Sequence, residues 1–416
     1  MIYPLLYSAF YWATKCAGLF SHKLARAHRE RRGLLHRVKG KTTGWKEGTW
    51  WVHIASSGEL EQALPILDLL RKEHPDDKIF LSYFSPSAKD AVALEIKRRE
   101  PVGIEIPWDA SDYSPFDFRS SARNFLKTLR PKCFVTIHRE LWPGIVSSCK
   151  ENNVPILLLA ASFPKREKPL PQWQRKQLEQ LDAIGVTRKE AADWLKTQVR
   201  GPEIRVVGDP RVERVLSRRQ MAKPAPWLSF FKGELVFLAA SVWPKDFEQL
   251  WPGLENLRAE NWRIILVPHE PKKEFVDMLF SRMKNAGWKP RLWSRWLEEP
   301  DHECSLIIDR VGLLAELYQV SQMVFVGGSF SHRVHNVLEP AAYGCRLFTG
   351  YRITNSLEAL ELKNEGLLVE AANSQELACA LSYSAKQPLP SKDPLPYLTR
   401  RAHSAQDCIS LLNSTF

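Results

Sequence analysis

The chain has 416 residues, is 44% hydrophobic and carries a formal charge of +12, which is more apolar sequence than one core usually organises, so two domains are expected. That charge points to an anionic partner, whether nucleic acid, an acidic membrane surface or a phosphorylated substrate. Seven cysteines, Cys16, Cys133, Cys149, Cys304, Cys345, Cys379 and Cys408, form no CxxC or Cys/His cluster, so their spacing speaks against a disulfide framework or a structural zinc and for a reduced setting.

Residues 1–20, MIYPLLYSAFYWATKCAGLF, are apolar and rich in Tyr and Trp until Lys15 interrupts them. With no basic region ahead of this run and no small-residue cleavage site, residues 1–22 read as a retained membrane anchor, interfacial or marginally spanning, rather than a signal peptide. Residues 23–48 set Lys23, Arg26, Arg29, Arg31, Arg32, Arg37, Lys39 and Lys41 against Glu30. Such a belt beside an apolar segment belongs on a cytoplasmic, anionic lipid surface; the alternative is a solvated basic helix.

A strand is expected at 49–55, TWWVHIA, running into Ser56, Ser57, Gly58 and Glu59 and then a helical pattern of Leu60, Ala63, Leu64, Leu67 and Leu70. Open α/β sheets keep ligands at such strand ends. Glu59 reads either as a first-turn acid that complements the helix dipole or as a general base. Strands at 78–83, 104–107, 133–137, 154–159, 183–186 and 204–207 alternate with helices near 88–98 and 119–129, the βαβ rhythm of a parallel sheet. Residues 217–231, SRRQMAKPAPWLSFF, mix charge with prolines and read as a linker between domains at 49–216 and 232–388.

In the second domain, strands are expected from 235, at 263–267, 306–308, 323–326 and 346–349, with a helix at 313–318. The stretch from 323 to 351 reads MVFVGGSFSHRVHNVLEPAAYGCRLFTGY: a strand, a turn at Gly327, Gly328 and Ser329, and a helix opening between Asn336 and Pro340. Paired glycines let backbone N–H groups approach a phosphate, a helix start adds free donors, and Glu339 there can accept from a ribose diol. Asn336 with Glu339 also fits a capping box, although Pro340 moves the helix start towards Glu339. The tail, 389–416, reads as a helix crossing back to the first domain.

VGGSFSHRVHNVLEPAAYG resembles the donor-site signature of the Kdo transferases, which move 3-deoxy-D-manno-octulosonic acid (Kdo) from CMP-Kdo to lipid A precursors. ASSGE at 55–59 is similar to the ASVGE-type loop of that family, whose glutamate is the proposed base; Glu59 matches it and Glu61 does not. Glu140, Trp142 and Pro143 match E-T-E-L-W-P, with His138 where an acid is usual, and Ala160, Ala161, Ser162 and Phe163 replace an N-A-R-x-S segment, leaving Lys165, Arg166 and Lys168 as substitutes or as a solvated basic loop. GDPRV at 208–212 resembles G-D-x-R-x-D, with Glu213 for the last acid and Arg211 either facing the donor phosphate or pairing with Asp209. ASVWP resembles G-S-T-W-P and makes Ser241 a donor-loop residue; Pro268, His269 and Glu270 match a P-H loop; and Asn355 to Glu358 resemble N-F-x-E.

The resemblance implies a GT-B architecture, two Rossmann-like domains with parallel sheets facing a cleft. It also implies an inverting transfer in which Glu59 is the base and the loop of Ser56, Ser57, Gly58 and Glu140 faces the acceptor. The donor side would comprise Arg211, Ser241, Pro268, His269, Gly327, Gly328, Ser329, Asn336, Glu339, Asn355 and Glu358. No DxD motif is evident, Asp76 and Asp77 falling in a loop, and a CMP leaving group carries one phosphate, so neither metal nor cofactor is expected. Partners are CMP-Kdo, a lipid A precursor and the anionic inner membrane; no nucleic-acid module appears. Another GT-B transferase using a UDP-sugar and a silent membrane-bound relative are the rival readings.

Overall fold

The computed structural model describes residues 2–18, 20–46, 48–138, 140–163, 169–222, 224–387 and 393–415, so Lys165, Arg166 and Lys168 lie outside the described residues. The chain divides into two compact units, Met1–Arg214 with Arg401–Phe416, and Val215–Arg400.

The first unit contains β1 (Thr49–Ile54), β2 (Ile79–Tyr83), β3 (Ala110–Tyr113), β4 (Pro131–Ile137), β5 (Ile156–Ala161), β6 (Ala183–Val186) and β7 (Glu203–Val206). They form one parallel sheet in the order β3-β2-β1-β4-β5-β6-β7. Helices cover both faces, so β1, β2 and β5 are buried at every residue; β5 is an unbroken apolar run, and β1 and β2 are apolar but for Thr49, His53 and Ser82. The chain works outward from β1 to β3 and then returns to β4 on the other side of β1. That reversal opens a crevice beyond the carboxyl ends of β1 and β4.

The second unit repeats the plan with β8 (Val236–Val242), β9 (Arg263–Pro268), β10 (Pro290–Leu292), β11 (Ser305–Ile307), β12 (Met323–Val326), β13 (Arg346–Gly350) and β14 (Leu368–Ala371). Their order, β10-β11-β9-β8-β12-β13-β14, is again parallel and places the reversal between β8 and β12.

No strand forms at 104–107. Pro107 has no N–H for a ladder, and the edge strand is β3, which pairs Phe80 with Ala110. Its buried Asp112 is held by Arg37 and Lys41, each at 2.9 Å; these distant ion pairs leave no trace in apolar periodicity. The expected linker is partly regular: helix Arg211–Met221 runs past residue 217, and Pro226–Phe231 forms a 3-10 turn whose aromatic rings pack on Trp293 and Trp296. Helix Leu395–Thr399 belongs to the second unit and helix Ser404–Ser414 to the first, so the return begins near Arg401. There Glu213 Oε1 accepts from Ala405 N at 2.7 Å.

The N-terminal helix Ile2–Ala17 has 16 residues, about 24 Å at 1.5 Å per residue against roughly 30 Å of hydrocarbon. Among the described residues no helix is long and apolar enough to cross a membrane, so the spanning form of the expected anchor is not supported. The basic belt is also partly internal. Arg26 pairs with Asp90 and Glu30, Arg37 and Lys41 pair with Asp112, and Arg31 is buried against the rings of Phe84, Tyr113 and Phe116. Lys23, Arg29, Arg32 and Lys39 remain exposed.

Candidate active site

In the first unit, β1 ends at Ile54 and Ser56 caps the helix Ser57–Glu73, its Oγ accepting from Glu59 N at 3.4 Å. The Glu59 carboxylate turns back and accepts from Ala55 N at 2.5 Å. Glu59 therefore is a first-turn acid, but one only 6% exposed. Burial pushes its carboxyl up to about 7; the Ala55 N–H opposes this and the charge of Glu140 adds to it. A carboxyl half-ionised near neutrality is suited to taking up a proton.

Glu140 follows β4, so the β1/β4 reversal brings it to Glu59, while Ser57 and Gly58 are exposed on the same turn. His138, at the position where the resembled motif carries an acid, stands at φ 69 and donates its N–H to Leu159 O at 2.9 Å. Asp117 accepts from Gly144 N and Ile145 N, both at 2.9 Å, and so fixes the start of helix Pro143–Glu151. Trp142 stacks on Phe84 at 4.5 Å and lies edge-on to Tyr7 at 6.3 Å, which seats the N-terminal helix beside the crevice. Ala160, at the departure from N-A-R-x-S, sits fully buried at φ 52 where the β5–β6 register shifts.

Strand, glycine turn and helix follow one another in the second unit as the sequence suggests, yet the turn directs its donors inward. Gly327 N donates to Ala240 O at 2.8 Å, and Gly328 N and Phe330 N donate to the Asp246 carboxylate at 2.7 and 3.1 Å. Ser329 is fully buried, its Oγ donating to Val326 O at 2.9 Å and accepting from Gly350 N at 2.7 Å. These groups build the loop, which corrects the expectation that these N–H groups meet a phosphate. The glycines answer to crowding: a Cβ on Gly327 would lie 2.2 Å from Ser241 O, and Gly328, at φ 80, has Arg333 O at the same distance.

Around this turn, Asn336 Oδ1 accepts from Leu338 N at 2.9 Å at the start of helix Leu338–Ala342. Glu339 is not its capping-box partner; it pairs with Arg218 at 3.2 Å. Asn355 Nδ2 donates to Val334 O at 3.1 Å, and Glu358 accepts from Ser356 Oγ at 2.7 Å. Ser241 is held at φ 54 where the β8–β9 register shifts, and Val242 pairs with Pro268. His269 follows, stacked on His335 with ring centroids 4.2 Å apart. Trp243 Nε1 lies 3.2 Å from His335 Nε2. That nitrogen therefore accepts and the proton of neutral His335 is on Nδ1. Burial, helped by His269, pushes His335 down to about 4. His332 lies edge-on to Trp243 at 4.8 Å. Of this cluster, sequence reasoning singled out only His269; the S-H-R-V-H spacing held the rest.

Arg211, in the first unit, grips Asp209 with Nε at 3.1 Å from Oδ1 and Nη2 at 2.5 Å from Oδ2. The pairing alternative is the one observed. Burial alone would raise Asp209, but Arg211 holds it below the usual carboxylate range.

A family model described as 3-deoxy-D-manno-octulosonic-acid transferase (kdotransferase) matches residues 26–214. The chain is 27% identical over 344 residues to the 3-deoxy-D-manno-octulosonic acid transferase of Aquifex aeolicus, covering 81% of this chain and 86% of that protein. The enzyme of that name from Haemophilus influenzae is 24% identical, with 82% and 79% covered. Among solved structures, a candidate UDP-N-acetylglucosamine 2-epimerase from Listeria monocytogenes superposes with a TM-score of 0.60 at 12% identity, covering 89% of this chain and 96% of that one. A glycosyltransferase from Rickettsia africae gives 0.51 at 12%, covering 87% and 94%. The two structures share the fold of paired parallel-sheet units. Relatives that span four-fifths of the sequence, together with the motifs running in order from Ala55 to Glu358, make this chain similar to the Kdo transferases over most of its length.

Proposed function

We propose that this chain is a Kdo transferase that moves Kdo from CMP-Kdo to a glucosamine hydroxyl of a lipid A precursor, with inversion, and that Glu59 is its general base. The acceptor oxygen gives its proton to the Glu59 carboxylate as it bonds to the anomeric carbon of Kdo. The bond from that carbon to the CMP phosphate oxygen breaks, its electron pair leaving with CMP. The observation that carries this reading is Glu59 itself, buried at the β1/β4 reversal with its carboxyl pushed up to about 7. General bases work best with a pKa near the operating pH.

On this reading the first unit presents Ser56, Ser57, Gly58 and Glu140 to the acceptor, and the second receives the donor in a GT-B arrangement. His269 meets the phosphate or sugar carboxylate and Glu339 the ribose diol. With a single phosphate to neutralise, the reaction proceeds without metal; activity lost in EDTA and restored by magnesium would overturn that.

The N-terminal helix is the interfacial anchor at the cytoplasmic face of the inner membrane. Phe10, Trp12 and Phe20 are 52%, 57% and 95% exposed, with Lys15 over the Trp12 ring and Lys23, Arg29 and Arg32 open beside them. Serine at all three aromatic positions should abolish most co-flotation with anionic vesicles; unchanged flotation would remove the anchor from the account.

The test of function is Kdo transfer to a tetraacylated lipid A precursor, with CMP-Kdo generated in the assay. Wild type transfers, whereas Glu59→Ala binds CMP but does not transfer. A folded, CMP-binding wild type without transfer would point to another acceptor or a silent relative, and absence of CMP binding would reject the reading.

A further inference from the structure

We infer that Asp246 is the positioning residue on which donor binding depends, because it ties the two loops of the β8/β12 reversal to one another; the inference rests on the proposed CMP-Kdo site lying there. Asp246 is fully buried in the first turn of helix Pro244–Ala259, where three main-chain N–H groups converge on its carboxylate. Oδ2 accepts from Trp243 N at 3.0 Å and from Gly328 N at 2.7 Å, and Oδ1 accepts from Phe330 N at 3.1 Å. One carboxylate thus fixes the loop after β8 and the turn after β12 in a single register. That register brings Ser241 O against Gly327, a contact no side chain there would allow.

The same bond sets the imidazole cluster. Asp246 holds the backbone of Trp243, whose indole donates to His335 and packs on His269 and His332. Moving Trp243 therefore displaces the support of His269, His332 and His335 together. The chemistry requires a carboxylate, since three converging N–H donors need acceptor lone pairs on both oxygens. Asparagine offers one such oxygen; with it placed at Oδ2, its NH2 opposes the N–H of Phe330.

The experiment compares wild type, Asp246→Asn and Asp117→Asn by CMP titration and by initial rates. Asp117→Asn removes a comparable helix-start carboxylate from the first unit and controls for a general loss of stability. Asp246→Asn should weaken CMP binding and raise the KM for CMP-Kdo at least about tenfold, as small displacements of positioning groups do. The KM for the acceptor should stay level, and Asp117→Asn should bind CMP within about twofold of wild type. CMP affinity in Asp246→Asn equal to that of wild type, or of an equally weakened control, would overturn the inference. Failure of wild type to bind CMP would instead reject the donor site.

Hydrogen exchange of wild type alone provides a reading that does not depend on the variant folding. The amides of Gly328 and Phe330 should be slow before CMP is added and gain little with it, because Asp246 already holds them. Fast exchange that CMP suppresses would overturn the inference.

Discussion

Each unit places Trp-Pro at the start of a helix beside its sheet reversal, Trp142-Pro143 after β4 and Trp243-Pro244 after β8, and each keeps a buried carboxylate near it. The two carboxylates have different surroundings. Burial pushes Glu59 up to about 7 against hydrogen bonds from Ala55 and Ser56 of its own turn; Asp246 accepts from its own turn at Trp243 and from Gly328 and Phe330 of another loop, which oppose the same upward pressure of burial. Where the donors lie separates a group held within its own turn from one that ties two loops together. A carboxylate that answers to its own turn is placed to act as a reagent; one shared between two loops is a fixture.

The largest expected effect breaks the reagent side. Glu59→Gln should lower kcat by about 10²- to 10⁴-fold with CMP affinity retained, measured as Kdo transfer and CMP titration. Next comes the fixture side. Gly327→Ala puts a Cβ 2.2 Å from Ser241 O in backbone that cannot yield, so a loss of more than about 3 kcal/mol is expected in chemical denaturation.

The third effect is in pH. A glutamate that ordinarily titrates near 4.5 and is pushed to about 7 in the fold costs stability once it ionises. Its contribution is fully present below its unfolded value and is lost as pH rises through 7. Glu59→Gln should therefore be more stable than wild type at pH 8 by about 3 kcal/mol, and the gain should vanish near pH 4. The smallest effect is at Gly58, where a Cβ meets nothing nearer than Ser56 Oγ at 3.9 Å. Gly58→Ala should stabilise by up to about 1 kcal/mol, the helix propensity difference, by the same denaturation series.

The sheet of each unit was largely legible in the sequence because buried parallel strands are unbroken apolar runs: 183–186 and 323–326 are strands to the residue. The edge strand β3 was not legible, since Asp112 owes its place to Arg37 and Lys41 far along the chain. Glu59 was legible as a first-turn acid following a strand, but its burial was not. The glycine turn was legible as a turn and misleading as a phosphate cradle, because its close neighbour is Ser241 of another loop. Asp246 was missed although the Trp-Pro-Lys-Asp run carries a helix-start acid; local sequence does not say that its second oxygen reaches Phe330, 84 positions on.

The most direct measurement is the pH profile of kcat/KM for Kdo transfer by wild type and by Glu59→Gln between pH 5.5 and 8.5, about the range in which a carboxyl pushed towards neutrality titrates. Wild type should lose about tenfold per unit below pH 7, while the residual rate of Glu59→Gln should lack that limb, since glutamine has no carboxyl to protonate. A Glu59→Gln enzyme that keeps the wild-type rate, or shows the same acid limb, would mean that the proton goes elsewhere.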